Sequence, residues 1–320
     1  MRSWTRAFAT RAAPGATAAA EPASPVAGWA RARAVARSRP WWIDVWVQMV
    51  RHKPLGTLGS VIVLAMLAAA ALADWITPYG FAQTSLRDRF IFASAAHWLG
   101  TDELGRDLLT RLIYGARISL YVGFGAVVLG SLLATLVGLV SGYAGGRVDL
   151  LLQRAVDAWM AFPPLLLLMS IMSLLGPSVL NITIVLGVAF GIQNSRIVRG
   201  VVLLLKEHTF VESARALGAG HARTTLGHLL PNVMPTIIVV ATTGLSTVIL
   251  TEASLSFLGL GVPPPYPTWG GMLSLAGLDH MYRAPWIAVW PAVALSLAVF
   301  GFNMLGDALR DLLDPRLKGR

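Results

Sequence analysis

The chain has 320 residues, of which 55% are apolar and only 13% are charged, about half the charged fraction of an ordinary soluble domain. It contains no cysteine, which excludes disulfides, thiolate metal sites, iron–sulfur clusters and cysteine nucleophiles. A net charge of +10 can indicate a nucleic-acid-binding protein, but here long uncharged stretches separate the basic residues. The composition therefore favours a membrane protein and argues against a nucleic-acid partner.

Five uncharged stretches are long enough to cross a bilayer, which takes about 20 mostly apolar residues in a helix. In chain order they cover residues 54–73, 118–146, 158–195, 224–251 and 284–306. The third stretch is interrupted by a Gly-Pro pair at positions 176 and 177, so we predict two helices of similar length joined by a short turn. The sequence thus predicts an all-α membrane protein with six transmembrane helices.

The distribution of Lys and Arg predicts orientation, because cytoplasmic connections carry an excess of basic residues. With six spans, both termini lie on one side of the membrane. That side consists of residues 1–53, 147–157, 196–223 and 307–320. It holds 20 of the 26 basic residues, and the other side holds 6. We therefore expect both termini to be cytoplasmic.

The first 40 residues contain seven Arg and one Glu among many Ala, Pro and Gly. We expect a disordered cytoplasmic tail whose arginines lie against anionic lipid, with an organelle transit peptide as the alternative. Trp41, Trp42 and Trp46 predict an interfacial helix before the first span. The expected divisions are the tail at 1–40, the interfacial helix and first span at 41–77, an extracytoplasmic segment at 78–116, a core with five further spans at 117–310, and a cytoplasmic tail at 311–320.

Small residues recur at every fourth position from Ala134 to Gly146, and again at Gly187 and Gly191. Such stripes let two helices approach closely, so we predict that the spans form a packed bundle.

Few polar side chains lie within the spans. Glu252 is expected to emerge at the outer surface and Asp307 at the inner end of its span, which leaves no candidate for a proton relay near the bilayer centre. This disfavours an ion-driven carrier. Gln193, Asn194 and Asn303 could line a translocation path, or they could form hydrogen bonds between helices.

Motifs of the common enzyme classes are missing from the sequence. It contains no nucleotide-binding G-x-x-x-x-G-K-[ST], no G-x-G-x-x-G, no H-E-x-x-H and no G-x-S-x-G. His221 and His228 are seven residues apart, but they lie in a basic loop without a carboxylate partner for a metal. We expect a chain that binds no metal or cofactor and does not hydrolyse ATP itself.

The longest connection on the side of the termini, residues 196–231, is predicted to fold into two short helices. The first, at about residues 207–217, would end at Gly218, since glycine suits the left-handed position that closes a helix. The second would end near Pro231, where the first turn of the next span tolerates the missing N–H. We call residues 207–231 the knob, because two helices joined by a tight turn would project rigidly from the membrane.

The knob resembles the EAA loop of ATP-binding-cassette (ABC) importer permeases. That pattern is E-A-A, three residues, Gly, nine residues, an aliphatic residue, any residue, and Leu-Pro. The spacing matches throughout, with Ser in place of one Ala and His in place of the aliphatic residue. The matching residues are Glu212, Ser213, Ala214, Gly218, His228, Leu230 and Pro231. In such permeases this loop docks into a groove of the ATPase subunit and transmits its closure.

Other parts of the sequence resemble the C-type permease subunit of dipeptide, oligopeptide and nickel importers. The resemblance covers residues 97–317, nearly the whole chain after the N-terminal tail. The matching blocks are residues 97–107 with Arg111, Gly115, Arg117, Ser119 and Leu120, residues 142–146 with Asp149, and residues 252–261, 263–270 and 305–317.

The resemblance implies a type I (MetI-like) permease in a bacterial inner membrane. It implies a B-type permease as the second half of the translocation path, one or two ATPase subunits carrying ATP and Mg, and an extracytoplasmic solute-binding protein. Peptide is the expected cargo, with nickel or glutathione as alternatives. An ion-coupled carrier and a membrane assembly protein without transport remain open as different classes of function.

Two of these blocks also predict local structure. We expect Asp102 and Asp107 to pair with Arg106 and Arg111 and so to order an outer turn, although the acids could instead contact a cationic substrate or carrier protein. The Phe-Pro-Pro at residues 162–164 predicts a break early in the third uncharged stretch.

Overall fold

The computed structural model describes residue 49 and residues 53–274 and 279–313. This part of the chain is helical and contains no β-strand. The expected interfacial helix at Trp41, Trp42 and Trp46, the tail at 1–40 and residues 314–320 lie outside the described residues.

The helices are numbered in chain order. They are α1 (Pro54–Ala71), α2 (Ala73–Ile76), α3 (Leu108–Ala144), α4 (Gly146–Met160), α5 (Pro164–Leu175), α6 (Val179–Leu205), α7 (Thr209–Ala216), α8 (Leu230–Phe257), α9 (Trp269–Met272) and α10 (Trp286–Leu313). A 3-10 turn covers Leu86–Asp88, and a π-helical segment, Arg223–Leu229, runs directly into α8.

Five helical stretches of the described chain are long and apolar enough to span a membrane. They are α1, α3, α6, α10 and the continuous stretch Arg223–Phe257 that contains α8. Helices α4 and α5 would together supply a sixth span, but they are bent by 88° relative to each other. The all-α membrane fold predicted from the sequence is confirmed, with five or six spans.

The third uncharged stretch differs from the predicted hairpin of two similar helices. Its second half forms α6, but its first half contains only the 12-residue α5. Helix α4 ends at Met160 and α5 begins at Pro164, since two consecutive prolines supply no backbone N–H to continue the helix. The predicted break is thus confirmed, and the turn after α5 lies at Gly176, whose φ is 79°.

Helix α3 begins earlier than the uncharged stretch at residue 118 predicted. The carboxylate of Asp107 accepts a hydrogen bond from the backbone N–H of Thr110 at 2.8 Å, which caps a helix starting at Leu108. Arg111 and Arg117 therefore lie on the helix itself, and charge alone gave the wrong boundary.

Helices α1 and α8 run in one direction and α3, α6 and α10 run in the other, so each end of the bundle has its own set of connections. We call one end the loop end, which carries residues 77–107, 258–274 and 279–285. The other is the knob end, which carries α4 and the knob. Contacts at both ends support this arrangement, since Trp286 donates to the carbonyl of Thr101 at the loop end and Tyr143 contacts His221 at the knob end.

Helices α3 and α6 form the most extensive helix pair. A Cβ added at Gly138 or Gly142 would come within 3.0 Å of Val198 or Val202, and one added at Gly130 would meet the backbone of α6. The predicted close packing along these small-residue stripes is confirmed.

Candidate functional site

The knob begins with helix α7, which ends where the sequence predicts. Gly218 has φ 82° and donates its N–H to the carbonyl of Arg215 at 2.9 Å, and Ala219 donates to the carbonyl of Ala214 at 3.0 Å. This pair of hydrogen bonds is the Schellman motif, which requires a left-handed residue after the helix. A fixed turn thus follows α7.

One face of α7 packs against the bundle and the other is exposed. Val211 and Ala214 are buried, whereas Glu212 and Ser213 are exposed. Leu217, at the end of the helix, is 89% exposed. Helix α7 and the residue that ends it therefore expose a carboxylate and a large apolar side chain.

A small apolar cluster attaches the knob to the spans. Val211 of α7 and Leu229 of the π-helical segment are both fully buried, and they pack with Val198 and Val202 of α6 and Val233 of α8. Displacement of α7 would therefore disturb α6 and α8 directly.

Tyr143, at the last turn of α3, is a second attachment point that sequence reasoning missed. Its hydroxyl lies 3.0 Å from Nδ1 of His221, and the guanidinium of Arg215 lies 5.2 Å from the centre of its ring. The only signal in the sequence was its position in the matched block at residues 142–146. His221, which was considered from the sequence as a metal ligand, thus contacts the hydroxyl of Tyr143 in the structure.

The second half of the knob corrects the sequence prediction. The helix expected to end near Pro231 instead continues as π-helical turns directly into α8, and Pro231 is the second residue of α8. Leu230 and His228 are half-buried, and the side-chain amide of Asn232 donates to the carbonyl of His228 at 2.6 Å. Periodicity could not reveal this continuity, because proline is compatible with both a helix end and a helix start.

Helix α4 is fixed to the knob end by an ion pair. Nε and Nη2 of Arg199 on α6 each lie 2.6 Å from an oxygen of Asp149, which also accepts from the hydroxyl of Ser141. Gln153 donates to the same hydroxyl at 3.0 Å. This bidentate geometry holds α4 across the ends of α3 and α6.

The three polar residues considered for a translocation path are not brought together. Asn303 accepts a hydrogen bond from Ser246 at 2.6 Å, which joins α10 to α8. Asn194 donates to the carbonyl of Phe190 within α6 at 2.8 Å. Gln193 is exposed and borders a small cavity beside the α4–α5 break. Asn303 thus has a helix–helix partner, as one of the two interpretations predicted.

The loop end contains a buried cluster of charges. Asp102 is 2% exposed and accepts hydrogen bonds from the Nε of Arg106 at 2.6 Å and from the backbone N–H groups of Leu104 and Arg106. Nε of Arg111 lies 3.4 Å from the same carboxylate, and Nη2 of Arg106 donates to Glu103 at 2.8 Å. The predicted pairing of Asp102 with both arginines is confirmed.

The predicted pairing of Asp107 with an arginine is wrong. Besides capping α3, Asp107 lies 2.9 Å from Nδ1 of His97. The helix cap fixes the direction of the carboxylate, so the neighbouring histidine rather than an arginine reaches it.

Arg117 links the end of α1 to α3. It donates to the carbonyls of Ala70 and Ala71 and forms an ion pair with Asp74 at 3.0 Å. The hydrogen bonds from Arg117 and, to a lesser extent, from Tyr114 hold the pKa of the exposed Asp74 below its usual value.

Glu252 also differs from the prediction that it would emerge at the outer surface. It lies in the last turns of α8 but is fully buried, and it accepts hydrogen bonds from Ser256 at 2.6 Å and from Ser119 at 3.3 Å. Residues 259–272 fold back over the ends of α3 and α8 and cover it, with Trp269 donating to the carbonyl of Leu112 at 3.2 Å. The length of the span correctly predicted the position of Glu252 along the helix axis, but not the direction in which its side chain points.

Comparison with known proteins identifies the architecture. The family described as "binding-protein-dependent transport system inner membrane component" matches residues 130–319, and the "N-terminal TM domain of oligopeptide transport permease C" matches residues 40–94. The chain is similar in fold to a chain of the MetNI methionine ABC transporter in an inward-facing crystal form. The TM-score is 0.53 at 20% identity, over 65% of this chain and 98% of that one.

Two curated relatives are similar over most of their length. The dipeptide transport system permease protein DppC of Alkalihalophilus pseudofirmus is 41% identical over 277 residues, which cover 87% of this chain and 90% of the relative. The glutathione transport system permease protein GsiD of Escherichia coli is 41% identical over 282 residues, 87% of this chain and 91% of the relative. The chain therefore belongs to the binding-protein-dependent transport system inner-membrane component family, as a C-type permease subunit of an ABC importer with the type I permease fold.

Proposed function

We propose that this chain forms one half of a translocation path for peptides. We also propose that ATP hydrolysis on separate subunits opens and closes this path by moving the knob. The other half would be a B-type permease. One or two ATPase subunits would carry ATP and Mg, and an extracytoplasmic binding protein would deliver the cargo. The present chain supplies helices and a docking surface, and no ATP site of its own.

The geometry of α7 carries this proposal. Glu212 on α7 and Leu217 at its end are exposed, while Val211 of the same helix is buried against α6 and α8. A partner that grips the exposed face would therefore move helices that span the membrane. The proposed coupling residues are Glu212, Ser213, Ala214, Gly218, His228, Leu230 and Pro231.

We further propose that the knob end faces the cytoplasm, with both termini on that side. The 20-to-6 distribution of Lys and Arg supports this orientation. The loop end would then be extracytoplasmic and would face the binding protein. The order of a cytoplasmic tail at 1–40, a first span within 41–77, an outer segment near 78–116, a core at 117–310 and a short tail at 311–320 forms part of the same proposal.

Peptide is the cargo we propose, because relatives named for dipeptide and for glutathione transport are equally identical to this chain. Glutathione is itself a tripeptide and is the second candidate. Nickel remains only as an alternative from the resemblance. Asn303 is bonded to Ser246 and Gln193 lies apart from it, so these side chains give no support to an ion-coupled carrier.

The test uses two knob variants in the purified complex with its ATPase and binding protein. Gly218→Val places a β-branched residue at φ 82°, which costs roughly 1–2 kcal/mol. Glu212→Lys reverses a charge at the proposed interface, where like-charge contacts cost several kcal/mol. We expect both complexes to assemble, and we expect ATP turnover to lose its response to loaded binding protein.

Gly227→Val and Glu207→Lys are the matched controls. Gly227 has no heavy atom within 4 Å of an added Cβ and lies in a helical segment, and Glu207 is exposed just before α7. Both controls should keep substrate-stimulated turnover. Wild-type stimulation in the Gly218 and Glu212 variants would reduce the knob to a linker and remove the basis for the proposed coupling.

A further inference from the structure

A cavity of about 310 Å³ lies at the loop end, where the ends of several helices meet. Its lining includes Arg111 in the first turn of α3, Pro177 in the α5–α6 turn, Ser256 in the last turn of α8 and Ile287 in the first turn of α10. The cavity therefore lies at the mouth of the bundle, among helices that would have to separate for a solute to enter.

Arg111 supplies this cavity with unused hydrogen-bond donors. The residue is 8% exposed, and its guanidinium has two described contacts, with Asp102 at 3.4 Å and with the carbonyl of Phe81 at 3.3 Å. A guanidinium carries five N–H donors, so most of them have no partner among the described residues. Asp102 already accepts three shorter hydrogen bonds from Leu104 and Arg106, so of its roughly four lone-pair positions about one remains for the Nε of Arg111, and none remains for the other guanidinium donors.

The remaining walls combine charge balance with an apolar surface. Asp102 and Glu103 offset the charges of Arg106 and Arg111, so these four side chains carry no net charge. The lining also contains the largely apolar residues Pro263, Pro264, Tyr266 and Pro267. A neutral but dipolar ligand with an apolar body fits such a cavity better than a simple ion does.

We propose that Arg111 binds the C-terminal carboxylate of a peptide in this cavity, as the peptide passes from the binding protein into the bundle. The planar fork of arginine matches the two oxygens of a carboxylate. The proline and tyrosine wall would contact the side chains of the peptide, and the volume lies within the range of small-ligand pockets. This inference rests on the proposed peptide cargo and adds the group by which the permease itself recognises it.

The experiment measures direct binding, without transport. Purified complex in nanodiscs, without binding protein, is examined by saturation-transfer NMR with tri-L-alanine and with tri-L-alanine amide. We expect a response to the free acid and one at least roughly tenfold weaker to the amide, since a hydrogen bond to a charged group is lost. Arg111→Gln should abolish the difference between the two probes, and Arg111→Lys should retain part of it.

Arg87→Gln is the matched control, because Arg87 is an exposed arginine at the same end of the bundle that does not line the cavity. It should keep the full preference for the free acid. If the Arg111 variants do not assemble, Pro263→Trp fills the cavity from the loop side and should remove the response to tri-L-alanine while Arg111 stays in place.

Three outcomes of these measurements would overturn the inference. They are an equal response to acid and amide in the wild type, an unchanged preference in an assembled Arg111→Gln complex, and an unchanged response in an assembled Pro263→Trp complex. A third probe, Ala-Asp-Ala amide, carries only a side-chain carboxylate. A response to this probe as strong as that to tri-L-alanine would also overturn the inference. Arg111 would then bind a side-chain carboxylate, such as one on a binding protein, as well as it binds a peptide terminus.

Failure of the proposed cargo would appear separately. Binding of tri-L-alanine through Arg111 in a complex that transports no peptide would leave the site standing and remove the peptide-importer assignment. Transport of peptides without any acid-specific binding would keep the peptide-importer assignment and remove the proposed site at Arg111.

Discussion

The two ends of the bundle differ in how they use charge. At the loop end, Asp102 is 2% exposed and holds two arginines, and Glu252 is buried beneath the returning loop. At the knob end, Glu212 is exposed and Leu217 is 89% exposed. Buried charged groups thus hold the loop end together, whereas at the knob end the ion pair of Asp149 and Arg199 holds α4, and α7 leaves a charged and an apolar side chain exposed.

This difference indicates that the loop end contributes more to the stability of the fold, and that the knob end contributes more to coupling with the ATPase. Buried charges are costly to leave unpaired, so changes at the loop end should act on folding. Exposed side chains away from such features usually change stability by at most about 0.5 kcal/mol, so changes on the projecting face of α7 should act on partners. The predictions below test this division.

The largest expected effect is that of Asp102→Ala. The substitution leaves Arg106 and Arg111 buried without their carboxylate, which should reduce stability by roughly 3–5 kcal/mol. Glu212→Ala is the matched change at the knob end and should leave thermal unfolding of the purified complex unaltered while impairing coupling. Similar melting temperatures for both variants would contradict the division between the two ends.

A glycine pair gives a smaller contrast. A Cβ at Gly270 would come within 3.0 Å of the backbone of Ala253, so Gly270→Ala should cost roughly 1–3 kcal/mol through overpacking. Gly227 at the knob end has open space, and Gly227→Ala should be neutral or stabilise the helix by up to about 1 kcal/mol. Denaturation of the two variants in the same detergent measures both, and a costlier Gly227→Ala would reverse the comparison.

The smallest expected effect concerns Tyr143. Tyr143→Phe keeps the ring beneath Arg215 but removes the hydroxyl that lies 3.0 Å from His221, a loss of at most roughly 1 kcal/mol. A double-mutant cycle with His221→Ala, read out as substrate-stimulated ATP turnover, should show non-additive effects. Strict additivity would mean that this contact plays no part in holding the knob.

Patterns read along the chain predicted the local features of this fold well. The helix end at Gly218 follows from one residue's backbone freedom, and the close approach of α3 and α6 follows from the spacing of Gly138 and Gly142. The bend between α4 and α5 follows from consecutive prolines. Each of these depends on neighbours within a few positions, or on a periodicity that the chain itself displays.

Features that depend on distant partners were predicted poorly. The burial of Glu252 requires Ser119 and the loop near Trp269, which lie far away in the sequence. The sequence places Arg111 in an outer segment, because its charge interrupts an apolar run. In the structure Arg111 lies on helix α3, where Asp102 provides its partner. The knob residues matched a known pattern, but Tyr143 could be linked to them only through the fold.

The continuous helix from Arg223 to Phe257 connects the knob directly to the loop end. At about 1.5 Å per residue, these 35 residues extend over some 50 Å, from the knob to the buried Glu252. The π-helical turns and Pro235 both lie at its knob end, and such features are where helices bend. A movement of the knob would therefore bend the helix near its knob end, and the straight remainder, whose last turn lines the cavity at Ser256, would move as one unit.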